Sequence, residues 1–147
     1  MAHSRTTIRQ AFVAILKGNT TAGNNVFDSR LYNMSEQSLP AIIIFSNSEE
    51  VITATLSPPR CQNRTVKITV ECYAKASSQV NVIIDELAAE IEQLIITNPI
   101  LPKICKDCRL ESTDINLNSD GDQPVAVASL VFSVSYRTKE NAPDTII

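Results

Sequence analysis

Tryptophan is absent from this chain of 147 residues, and aromatic residues make up only 5% of it. Any core must therefore be assembled mainly from Ile, Leu, Val and Ala. Glycine occurs only three times, too rarely for a Gly-rich loop that cradles phosphate. The single histidine, His3, lies at the extreme N-terminus, which leaves a Ser, Cys or Thr nucleophile without a well-placed base. Positive charge is modest too. A net charge of −3 and a pI near 5.1 argue against gripping nucleic acid by phosphate neutralisation, which needs a basic patch. Long apolar runs are also missing. Ala41 to Phe45 is far too short to span a bilayer, and MAHSRTTIRQ has no apolar signal core. Synthesis in the cytoplasm without a membrane anchor is expected. The sequons at Asn19, Asn33 and Asn63 then read as chance. Cys61, Cys72, Cys105 and Cys108 read as reduced thiols.

What is present centres on one strand, Arg64 to Ala76. Val66, Ile68, Val70, Cys72 and Ala74 share one face, while Thr65, Lys67, Thr69, Glu71 and Tyr73 share the other. Such alternation marks a half-buried strand. A long amphipathic helix follows, from about Ser78 to Thr97, with Val80, Ile83, Ile84, Leu87, Ala88, Ile91, Leu94 and Ile95 at helical spacing. Asn98-Pro99 stops it. Its other face carries Asp85, Glu86, Glu90 and Glu92, with no Lys or Arg in the helix to pair with them. That stripe is either a solvated face or a surface that meets a basic neighbour.

Around this unit the pattern predicts a first helix from an N-cap at Ser4 to about Lys17, with Gly18 in the left-handed position that ends it. A short strand follows over Asn25 to Arg30. Pro40 opens another, Ala41 to Ser46, whose unbroken apolar run suggests burial on both faces. Glu49 to Leu56 reads as a further strand or half of an arm, broken at Pro58-Pro59. The whole stretch from Ser46 to Asn63 is long for a connection, and is either a hairpin arm projecting from the body or a surface loop. After LPKICKDC, Arg109 to Leu117 forms a strand whose alternation slips between Leu110 and Ile115, which predicts a bulge. Ser119 to Asp122 makes a turn. Val125 to Tyr136 is the last strand. The expected fold is α+β: a mostly antiparallel sheet, two helices packed on one face and a projecting hairpin arm. Residues 1–137 form a single domain in this reading, and 138–147 a C-terminal tail ending in Ile146 and Ile147.

No motif carries chemistry strongly. Cys105-x-x-Cys108 lacks the second pair of a structural zinc site, and it precedes a strand, whereas a redox pair opens a helix. A small zinc or redox module remains the alternative from another functional class. Asn118-x-Asp120-Gly-Asp122 lacks the last ligand and the helices of a calcium loop. Glu49 and Glu50 are adjacent on an extended stretch and point apart, so they make no acid/base dyad. No cofactor site and no enzymatic activity are expected. Arg30, Arg60 and Arg64 are either ordinary surface arginines or partners for a neighbour's carboxylates.

The order of these features resembles a known family. Ile8-Arg9 and Phe12-x-x-Ile-Leu16 come first, then Val26-Phe27-x-Ser29-Arg30. Leu39-Pro40-Ala41-Ile-Ile-Ile-Phe45 leads into Glu49-Glu50. The Arg64 to Tyr73 strand, Asp85-Glu-Leu-Ala-x-x-Ile91 and Val134-Ser-Tyr136-Arg137 complete the series. Over roughly residues 5 to 137 this resembles the tail terminator proteins of long-tailed bacteriophages, the family of the lambda minor tail protein U. The resemblance implies a small α+β structural protein with no catalytic residues. It implies a homohexameric ring on the head-proximal end of the tail tube that stops tube polymerisation and meets the head connector. Tail tube protein and connector protein would be its partners, and genomic DNA would pass through the lumen. A neck adaptor or head-closure protein is the nearby alternative. Arg30, Glu49, Glu50, Arg60, Arg64, Ile146 and Ile147 are the candidate contacts between subunits.

Overall fold

A mixed sheet of six strands forms the body of the protein. The computed structural model describes residues 2–28, 40–75, 78–98, 101–118 and 125–147. In chain order the elements are α1 (Ser4–Leu16), β1 (Val26–Phe27), β2 (Ala41–Thr53), β3 (Cys61–Lys75), α2 (Val80–Thr97), α3 (Leu101–Ile104), β4 (Asp107–Asn118), β5 (Val125–Lys139) and β6 (Ala142–Ile146). The strands are ordered β1-β2-β3-β5-β4, and β6 also pairs with β5. β1 runs parallel to β2, which makes the sheet mixed; the other pairings are antiparallel.

The alternation read from the sequence sets the inner face. Val66, Ile68, Val70, Cys72 and Ala74 of β3 stand opposite Val134, Phe132, Leu130, Ala128 and Ala126 of β5. All are buried, and with Ile42 and Ile44 of β2 they join the apolar stripes of α1 and α2 in one cluster. Phe12 of α1 meets Phe132 edge-to-face, with ring centroids 5.7 Å apart. Burial of each large side chain in such a cluster contributes roughly 1.5–3 kcal/mol. The β2 run Ala41–Phe45 is buried on both faces, as its unbroken apolar pattern suggests.

Several boundaries differ from the sequence reading. The two strands expected over Ala41–Ser46 and Glu49–Leu56 are one strand, β2, with a register shift between Ser46 and Ser48. β3 begins at Cys61, three residues before Arg64, because β5 continues to Lys139 and supplies a partner that far. The boundary drawn at 137/138 therefore falls inside β5, and residues from Ala142 return as β6. The bulge anticipated in β4 lies between Leu110 and Ser112. Among the described residues, the strand expected over Asn25 to Arg30 is only Val26–Phe27. Arg30 and the turn at Ser119 to Asp122 lie outside the described residues. Ser4 is not the N-cap of α1. His3 is, its ring accepting from the Arg5 amide, while the buried Ser4 hydroxyl donates to Pro143 O at 2.7 Å. Gly18 adopts the expected left-handed conformation, φ 78°, and its N–H donates to Gly23 O. α2 starts at Val80, after a left-handed Gln79.

Candidate functional site

The inner face changes character at one end. Beyond Val66 and Val134 the inward positions become Arg64 and Gln62 on β3, and Tyr136 and Thr138 on β5. On β2 the extra residue, Asn47, resets the alternation, so Glu49 stands opposite Val66 on the inner face and Glu50 opposite Thr65 on the outer. Unbroken alternation from Ala41 would have placed Glu49 outside. The β-bulge absorbs Asn47, and the register beyond it keeps the carboxylate on the inner face.

Glu49 accepts three hydrogen bonds there. Its Oε1 accepts from Arg5 Nη1 of α1 at 2.6 Å and from Arg64 Nη1 at 2.9 Å, and its Oε2 accepts from the Tyr136 hydroxyl. Arg64 also donates through Nε to Thr138 Oγ1 at 2.9 Å and through Nη2 to Gln62 Oε1 at 2.8 Å. The Glu49 and Arg64 side chains are only 7% and 10% exposed, against 37% for Arg5. Burial alone would raise the Glu49 pKa, but the hydrogen bonds from Tyr136, Arg5 and Arg64 outweigh it and hold the carboxyl below its ordinary value. Tyr136 moves the other way, because burial and the adjacent carboxylate both oppose its ionisation. His3 lies at the rim. Burial, with Arg5 and Arg64 nearby, lowers its pKa against the opposing pull of Glu49 and Asp144. Its Nδ1 accepts from the Arg5 amide at 3.2 Å, and its Nε2 lies 3.5 Å from Arg64 Nη1.

This cluster ties α1, β2, β3 and β5 together by charge-assisted hydrogen bonds. An ionised carboxylate has no proton to give, and three of its roughly four acceptor sites are already taken. Its physical role is anchoring.

The structure brings Glu49 and Arg64 together within one chain and separates the other candidates. Arg60 reaches Glu140 at 3.5 Å, at the far end of the β2–β3 hairpin. Glu50 is exposed. Ile146 is half-buried against the core, whereas Ile147 is 51% exposed. Along the hairpin, Val51, Ile52 and Leu56 are exposed, Leu56 to 94%. Sequence reasoning missed Arg5, Tyr136 and Thr138. The one available signal was Tyr136, a hydroxyl closing an apolar row, since a buried Tyr needs a partner.

The cysteines are free. Cys72 donates to Ala128 O in the core, and burial raises its pKa to about 12. Cys105 donates to Leu101 O, and Cys108 is raised to about 12 by burial and by its neighbours Cys105 and Asp107. Among the described residues, no group of three or more His, Cys, Asp or Glu side chains is placed to hold a metal ion.

Two flanks of the helical layer also differ in charge. α1 contains Arg5 and Arg9 and no acidic residue. Arg9 donates to Ser46 Oγ at 2.8 Å. Between α1 and β1 lies a cavity of about 390 Å³, lined by Gln10, Val13, Ala14, Lys17, Val26, Phe27 and Asp28. α2 contains four carboxylates and no cation. Glu90 accepts from the amide and hydroxyl of Thr21, after α1.

The family model for phage minor tail protein U matches residues 3–136, nearly the whole chain. No individual curated protein matches the sequence.

Proposed function

Because the chain belongs to the phage minor tail protein U family, a family of structural proteins of the phage tail, we propose that it is the tail terminator. Six copies form a ring on the head-proximal end of the tail tube, halt its polymerisation and present a surface to the head connector. The observation that carries this reading is the family match over residues 3–136. Its role is structural rather than catalytic. Tail tube protein and connector protein are its partners, and genomic DNA passes through the lumen. Six copies at −3 each carry a formal charge of −18, which disfavours tight DNA capture by counterion release. The outer part of the β2–β3 hairpin serves as the arm to a neighbour. Glu50, Arg60, Ile52 and Leu56 lie along it, and Ile147 offers a second contact. Support for the arm comes from the exposure of Ile52 and Leu56.

Electron microscopy of tails assembled without this protein tests the proposal. Overlong tails are expected. Tails of normal length that fail to join heads would overturn it and identify a neck adaptor instead.

A further inference from the structure

The two edges of the protein are chemically complementary. β1 and β4 are the opposite ends of the strand order. α1 packs at the β1–β2 end, and α2 covers β3 and β5 and reaches β4. The α1/β1 edge presents the cavity of about 390 Å³, with Val13, Val26 and Phe27 in its wall and Lys17 and Asp28 at its side. Arg9 lies on the same helix, and no carboxylate pairs with it among the described residues.

The α2/β4 edge is the reverse. Glu90 faces the loop after α1, which fixes the rotation of α2. By the helical period, Asp85 and Glu92 then lie on the opposite flank, toward β4. No hydrogen bond or ion pair holds either one among the described residues. Beside them, Ile115 and Leu117 of β4 project from the inner face, 53% and 54% exposed. One edge is thus an apolar groove with Arg9 and Lys17 outnumbering the single carboxylate of Asp28, the other an apolar ridge flanked by anions.

We propose that the α2/β4 edge of one copy docks into the α1/β1 groove of the next. Ile115 and Leu117 fill the apolar wall, and Asp85 and Glu92 meet Arg9 and Lys17. The inference rests on the ring reading above and deepens it by assigning the interface between copies. Charge also selects the symmetry. A two-fold dimer through the α2/β4 edge would set carboxylates against carboxylates, whereas head-to-tail contact sets them against the net positive charge of Arg9, Lys17 and Asp28. Head-to-tail contacts close into a ring when the rotation between neighbours closes on itself.

Two variants test this. The first carries Arg9→Glu and Lys17→Glu, so both of its edges are acidic. The second carries Asp85→Lys and Glu92→Lys, so both are basic. Their self-association is followed by sedimentation against the unsubstituted chain, with circular dichroism to verify folding. Each variant alone should need at least about tenfold more protein to assemble. An equimolar mixture should assemble like the parent, alternating around the ring, and a chain carrying all four changes should recover on its own. If Arg9→Glu disturbs folding, Gln10→Glu with Lys17→Glu replaces it, since both positions are exposed. Variants that assemble alone as well as the parent, or a mixture that stays dissociated, would overturn the interface. A parent chain monomeric at every concentration would overturn it too. Variants that self-associate normally but no longer limit tail length would reassign the edge to a tail partner. The terminator reading is judged separately, by tail length in the absence of the protein.

Discussion

The two ends of the inner face hold the same helix by different physics. Toward its C-terminus, α1 is fixed by Phe12, Ile15 and Leu16 against an apolar sheet. At its N-terminus, Ser4 bonds to β6 and Arg5 to Glu49. The apolar end is nondirectional and tolerant of shape, and its stability scales with buried area. The polar end is directional. Two charged side chains are almost removed from water, so much of the Coulomb gain is cancelled by desolvation. It contributes little net stability over an apolar replacement, but it fixes where α1 begins and how β2, β3 and β5 align. Breaking it is costly because the survivors are left buried and unpaired.

Substitutions that break each end separately sharpen the contrast. Phe132→Ala removes the ring that meets Phe12. A loss of about 3–5 kcal/mol is expected in urea unfolding, insensitive to pH and salt. Glu49→Gln preserves shape and removes the charge between Arg5 and Arg64. About 3 kcal/mol should be lost at neutral pH, near the low end for a broken buried pair because Arg5 is partly solvated.

The pH dependence distinguishes the two. The Glu49 carboxyl is held below its ordinary 4.5 in the folded protein. Its contribution is therefore complete above about 4.5 and lost as pH falls through the depressed folded-state value. Between neutral pH and strong acid, the deficit of Glu49→Gln relative to the parent should shrink, while that of Phe132→Ala should stay constant. Parallel loss in both variants would contradict the anchoring role of the carboxylate.

This asymmetry also explains what could be read from the sequence. The apolar end was legible because burial writes itself as periodicity: the β3 and β5 rows and the α2 stripe all fall on the cluster. Even the β4 bulge was visible, since Leu110 and Ile115 are both apolar and differ in parity. The polar end was not. Asn47 shifts the register among Ser46, Asn47 and Ser48, where no apolar residue reports the slip. Glu49 and Arg64 therefore read as surface charges offered to a neighbour. Their partners Arg5 and Tyr136 lie 44 and 87 positions from Glu49, beyond the reach of local pattern. The tail misled for a related reason. Ala142–Ile146 is too polar to read as a strand, and its place depends on the length of β5.

The smallest expected effect follows from the bulge itself. Asn47 is the unpaired extra residue: Ser46 stands opposite Ile68, and Ser48 opposite the adjoining Lys67. Deleting Asn47 makes the ladder continuous without changing either partner. Ser48 remains on the outer face and Glu49 remains opposite Val66. The deletion should therefore shift stability by less than about 1 kcal/mol and preserve the pH dependence of the parent. Retaining Asn47 in an unbulged ladder would instead turn Glu49 outward, since a one-residue slip reverses every side chain beyond it. Urea unfolding of the deletion variant at neutral and acid pH separates these outcomes. A loss as large as that of Glu49→Gln, with the same flattened acid response, would mean that the bulge rather than the register positions the carboxylate.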